Sequence, residues 1–179
     1  MAYAERRLEP ETGRVAVDSP VAVNLEVLRQ GLDLLARISD EDYTRTVDPL
    51  FGFGVGSHIR HCLDSYRCFI RGLATGLIDF DSRDRDMRVA LDREYARGQI
   101  DWTIIELKRI ASSTVPASIQ SRQDSPCWAQ SSVVRELQFL LSHTVHHFAL
   151  IALMLRIQGI EISADFGVAP STLEYWKTS

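Results

Sequence analysis

The chain predicts an all-α fold, a bundle of four helices. Three observations carry that expectation. Four segments repeat apolar residues at spacings of three and four, the period of a helix that buries one face. Strand-like alternation is almost absent: only "ASIQSRQ", inside the irregular stretch from Ser112 to Gln130, alternates weakly, and it allows one short strand. Gly, Pro, Ser and Asp gather between the periodic segments, where helices start and stop.

Residues 1–19 read as an extended N-terminal arm ending at Ser19-Pro20, since the residue before a proline disfavours helix. Residues 20–179 read as a single domain. Its first helix runs from Val21 to Ile38, with Leu25, Leu28, Leu32 and Leu35 on one face. The Gly-, Pro- and Asp-rich segment "SDEDYTRTVDPLFGFGVG" reads as a loop. A second helix spans Ser57 to Leu73. Ile59, Cys62, Leu63, Tyr66, Phe69, Ile70 and Leu73 form its apolar face, while Arg60, Asp64, Arg67 and Arg71 form a solvated one. Gly72 and Gly76 mark its end. "IDFDSRDRD" reads as a charged turn, with Asp81 and Ser82 as capping residues for a third helix reaching Ala111. Ser131 or Ser132 then caps the longest helix, from Val133 to Gln158, which Gly159 stops. The tail "DFGVAPSTLEYW" mixes turn residues with large apolar ones and is expected to pack back on the bundle.

Composition limits function. The 179 residues are 45% hydrophobic, enough for one continuous core. The net charge is -4 and the basic residues are scattered, so a nucleic-acid partner is not expected, because phosphate binding needs a concentrated basic surface. The longest apolar stretch is broken by His146, His147, Arg156 and Gln158, so no membrane span is expected. The start "MAYAERRLEPETGRV" lacks the apolar core of a signal peptide. Three cysteines, Cys62, Cys68 and Cys127, with no CxxC pair, suit a reducing cytoplasm. Cys62 and Cys68 read as small core residues. Tyr66, Phe69 and Trp102 read as core rather than pocket, and Tyr175 and Trp176 as cover for an edge or a homodimer interface.

The histidines carry the chemistry. His143 and His147 are four residues apart, on one helical line with Glu136, Leu140 and Met154 and with apolar neighbours. His146 projects roughly 100° away from His147. The second helix supplies His58 and His61, three apart, and a helical wheel sets His58 nearer the apolar centre. Two inner imidazoles of one helix can meet an inner imidazole of another, and three of them with one open position make a metal site of the catalytic type. Such buried imidazoles without partners would cost a few kcal/mol, so something has to satisfy them. The bland alternative is a hydrogen-bonded histidine cluster in the core, because HxxxH without a HExxH-type glutamate is a weak motif. Glu136 has two readings: an acceptor for an imidazole N–H or a general base, and a first-turn glutamate favoured by the helix dipole. Arg83 and Arg85 read as part of a solvated turn, with an anion site at the bundle end as the alternative.

Two motifs resemble the DinB-like (DinB/YfiT) superfamily of metal-dependent enzymes. "HCLD", His61 to Asp64, resembles that family's HLAD element on its second helix. "SHTVHHFALIA" resembles its HxxxHH element on the fourth. The order and separation match from Val21 to Gly159, and "IDFDSRDRD", "RELQFLLSHTVHH" and "FGVAPST" resemble an uncharacterised bacterial subgroup. The resemblance implies a four-helix bundle in a variant of up-and-down topology. It places the metal ligands on His61, His143 and His147, against the wheel's preference for His58, which stays as a fourth ligand or a donor to one. It implies a divalent metal, Zn or Ni first and Fe or Mn next, and a small-molecule substrate with a low-molecular-weight thiol as co-substrate. Thiol-dependent S-transfer and metal-assisted hydrolysis are the implied reactions. The sequence departs from the family where Phe148-Ala149-Leu150 replaces the usual Arg-Gly-Gln. The contrasting class is a non-catalytic helical bundle that binds a metal or small ligand, or that dimerises.

Overall fold

The computed structural model describes residues 18–48 and 52–178. Four long helices dominate: α1 (Asp18–Arg37), α3 (Val55–Leu73), α5 (Arg93–Ala111) and α6 (Val133–Ile157). Shorter helices α2 (Asp40–Thr44), α4 (Met87–Leu91) and α7 (Pro170–Thr178) join and follow them, with strands β1 (Leu77–Asp79), β2 (Ile119–Arg122) and β3 (Ala129–Ser131). The protein is therefore mostly helical, with a small sheet that a purely all-α expectation leaves out. β1 pairs parallel with β2, and β2 antiparallel with β3.

Each long helix forms where its apolar period says. α1 buries Val21, Leu25, Leu28 and Leu35. It starts at Asp18, so Ser19-Pro20 opens the helix rather than closing an arm. Proline fits there because first-turn N–H groups have no partner within the helix. Residues 1–17 of the expected arm lie outside the described residues. α3 packs against α5 and α6, and α1 against the same two helices, so the bundle core lies between two pairs. α6 is long and apolar enough by composition to cross a bilayer. Here its buried residues Leu137, Leu140, Phe148, Ile151 and Leu155 join the common core instead. Gln158 caps α6, and Gly159 follows at φ +76°, the left-handed stop the sequence announces.

Four expectations are corrected. Inside the segment read as a loop, Ser39 and Asp42 form a reciprocal capping box that starts α2. The third helix does not start at Asp81 and Ser82: Asp86 caps α4, and Asp92, in extended conformation, caps α5 by accepting from the Tyr95 N–H. Trp102 is not core but 39% exposed. Asp64 is not solvated but 2% exposed. At α3, Gly56 lets the Ala90 backbone approach: a Cβ there would lie 2.1 Å from the Ala90 carbonyl oxygen. In the tail, Phe166 is buried and stacks on Phe148 at 4.8 Å, whereas α7 buries none of its residues.

A buried polar network ties three helices together. Tyr66 Oη on α3 donates to Asn24 Oδ1 on α1 at 2.7 Å. The Asn24 amide donates to the Pro20 and Leu137 carbonyls at 2.8 and 3.0 Å. Thr144 on α6 donates to the Leu140 carbonyl at 2.7 Å and lies 3.3 Å from Tyr66 Oη. All three side chains are fully buried. The network fixes the facing of α3 and α6 beside their histidines.

Candidate metal centre

α3 carries His58 and His61; α6 carries His143, His146 and His147. One nitrogen from each of His61, His143 and His147 falls within 4.8 Å of the other two. His143 Nε2 and His61 Nε2 are 3.0 Å apart. The ring centroids of these three residues lie 4.6 to 4.8 Å from one another. His58 stands outside the triad. Its Nδ1 is 3.0 Å from His147 Nδ1, which leaves His147 Nε2 as the nitrogen free for the cluster. His146 faces outward and is exposed, although its ring touches His147 at 5.2 Å.

The wall behind the triad comes from the sheet and the first half of α6. Phe139 stacks on His143 at 5.6 Å, and Phe80, just after β1, packs on Phe139 at 5.0 Å. Glu136 is 1% exposed and its bonds run to the sheet: it accepts from Ser121 Oγ at 3.0 Å and from Ser131 Oγ. Among the described residues its hydrogen-bond partners include no imidazole. Asp64 pairs with Arg60 at 3.2 Å, and Arg71 on the same helix donates to the Ser82 carbonyl and pairs with Asp84 at 2.9 Å, so α3 holds the 80–86 segment. Burial raises the Asp64 pKa, against the lowering effect of Arg60. That pinned segment sets Arg83 Nη1 3.4 Å from His61 Nδ1. The sequence reads this stretch as a solvated turn because nothing local shows that it folds over a helix.

The imidazoles are held neutral. Burial lowers all four facing rings, His143 to about 4 and His147 to about 3, with positive neighbours adding to the effect. Neutral imidazole is the form that binds a metal. Among the described residues, His143 Nδ1 and His58 Nε2 are buried with no hydrogen-bond partner. Three neutral nitrogen donors from two rigid helices fit a first-row transition ion and suit calcium or magnesium poorly, as those ions take oxygen ligands. The cluster His61, His143 and His147 is thus able to hold a metal ion.

Comparison with known proteins adds little. No family model matches the chain. A curated protein, FK506-binding protein 5 of Rhizopus delemar, is 33% identical over 107 residues, which cover 56% of this chain. The match spans 28% of that relative's length.

Proposed function

We propose that the chain is a metal-dependent enzyme of the DinB-like superfamily that acts on a small molecule. His61, His143 and His147 would hold a divalent ion, Zn or Ni before Fe or Mn. The observation that carries the reading is the convergence of these neutral imidazoles from two helices. Bound there, the ion would supply a Lewis acid that lowers the pKa of water or of a thiol at its open position. This supports either S-transfer from a low-molecular-weight thiol or hydrolysis. The chain's own residues prepare the site. His58 holds the His147 ring through Nδ1 and orients it. Phe139 and Phe80 close one side against water. Arg71 fixes the segment that carries Arg83. A reducing cytoplasm suits the free Cys62, Cys68 and Cys127.

One observation favours a binding protein without turnover. Phe148 takes the place of the family's usual arginine after the last ligand, and its ring is buried against Phe166. That position offers no polar group to a substrate.

Elemental analysis of untagged protein tests the reading, beside His61→Ala and the double variant His143→Ala/His147→Ala. Near-stoichiometric transition metal in the parent, lost in folded variants, supports it. Absence of metal after incubation with divalent ions overturns it. A screen of thiol transfer and ester or amide hydrolysis on the loaded protein then separates enzyme from binder.

A further inference from the structure

We propose that Arg83 is an anion anchor beside the metal position, so that the natural ligand carries a carboxylate or similar oxyanion. The inference rests on the metal reading and deepens it by giving the substrate a charge.

Arg83 differs from the other arginines that bury an Nε. Arg60, Arg97 and Arg122 also bury an Nε with no partner, yet each pairs with an acid through a terminal nitrogen: Asp64, Glu94 and Asp79 respectively. Arg71 pairs with Asp84 at 2.9 Å, and Arg67 reaches Asp86 at 4.0 Å. Arg83 buries its Nε in the same way, and among the described residues it has no acidic partner. Its hydrogen-bonding neighbour is a candidate metal ligand, His61. A half-buried cation without a counter-ion is costly, and the cost falls when an anion arrives.

Charge balance points the same way. The three candidate ligands are neutral, and the nearby carboxylates are engaged elsewhere: Asp64 by Arg60, Glu136 by two serines. A divalent ion there would add two charges near Arg83, and among the described residues no carboxylate joins the three imidazoles. Sites of this kind draw their negative charge from the ligand. The guanidinium, set at the far nitrogen of His61, offers a ligand that extends past that ring paired N–H donors of the geometry that carboxylates take.

The tautomers link the two events. A guanidinium has only donors, so His61 Nδ1 accepts from Arg83 and its proton sits on Nε2, facing His143 Nε2. With Nε2 given to a metal, His61 keeps its proton on Nδ1. Donor then faces donor, and Arg83 is released toward whatever anion stands at the open position. Anion and metal should therefore strengthen each other's binding, and by the same factor.

Cobalt(II) serves as a coloured probe. Its affinity for the metal-free protein is measured by visible absorption against a competing chelator. The measurement is made alone, with 3-mercaptopropionate, and with 2-mercaptoethanol, which has the thiol but no carboxylate. The panel is the parent protein, Arg83→Met and Arg83→Lys, each checked for folding by circular dichroism. The parent should bind 3-mercaptopropionate about tenfold or more tightly than 2-mercaptoethanol, the scale of one charge-assisted pair. Arg83→Met should lose the preference while binding cobalt alone more tightly than the parent, and Arg83→Lys should keep part of the preference. Equal affinity for the two thiols in the cobalt-loaded parent overturns the anchor and leaves the metal reading standing. So does a full preference in Arg83→Met. Failure of the parent to bind cobalt overturns both.

Discussion

Replacing Tyr66 with Phe should destabilise the protein by about 2 kcal/mol, because it orphans one buried acceptor. Tyr66 Oη is the donor to Asn24 Oδ1, and both residues are fully buried. Water cannot reach the oxygen once the hydroxyl is gone. Thr144 cannot replace the donor, because its single hydroxyl proton is committed to the Leu140 carbonyl at 2.7 Å. The loss is therefore the cost of an unsatisfied buried polar atom, roughly 1–3 kcal/mol, rather than the ~1 kcal/mol net value of an average hydrogen bond. For a chain of this size that corresponds to a fall in Tm of about 4–8 °C. The assay is urea unfolding followed by far-ultraviolet circular dichroism at pH 7.5 with a chelator present. Adding Asn24→Leu to Tyr66→Phe removes both partners and should recover at least ~1 kcal/mol relative to the sum of the two single changes. A loss below ~0.5 kcal/mol in Tyr66→Phe, or strict additivity in the double variant, would refute the network as a tie between α1, α3 and α6.

Three other outcomes are expected. Metal-free protein should lose stability as pH falls from about 6.5 toward 4. The unfolded chain takes up protons on its histidines near ~6.5, while burial holds the folded His143 near about 4 and His147 near about 3. The stability they contribute is complete above pH ~6.5 and declines below it, by roughly 1–3 kcal/mol in total once their partial exposure is allowed for. Urea midpoints measured at pH 7.5, 6.0 and 5.0 follow it, and His143→Gln/His147→Gln should flatten the profile. Gly56→Ala should cost about 3 kcal/mol or prevent folding, since the new methyl would meet the Ala90 carbonyl at 2.1 Å and the Tyr43 ring at 2.7 Å, and thermal melts read this directly. Phe148→Ala should cost about 3–5 kcal/mol by opening a cavity beside Phe166, and a loss below ~1 kcal/mol in urea would show that the tail does not pack there.

The long helices were legible because each turns one apolar stripe inward, and that period is written in the residues themselves. Leu25, Leu28 and Leu35, like Ile59, Leu63 and Phe69, fall where the spacing puts them. Of the sheet only β2 was legible, inside "ASIQSRQ"; β1, β3 and the pairing were not. Its strands are three or four residues long, and β1 meets β2 some forty residues later in the chain, too short and too distant for a pattern. Asp64 was misread for a related reason. A helical wheel assigns faces to one helix alone, and only the 80–86 segment folding over α3 turns that face inward. Spacing misled at His58 and His61: the helical wheel preferred His58, nearer the apolar centre, and only the family resemblance pointed to His61. The position of α6 separates them, grouping His61 with His143 and His147 and leaving His58 on the outer nitrogen of His147.

The histidines also impose an order of assembly. His143 and His147 are neighbours on one helix, whereas His61 lies 82 residues before His143 in the chain. In a nascent or unfolded chain an ion can meet the pair on α6 as a local chelate, but the third donor arrives only when α3 docks. On the ribosome α3 emerges first and waits for α6, so the site cannot close before the last long helix is made. An ion seated by all three rings would thus certify that the two helices have found each other, and its release rate would report how often they part.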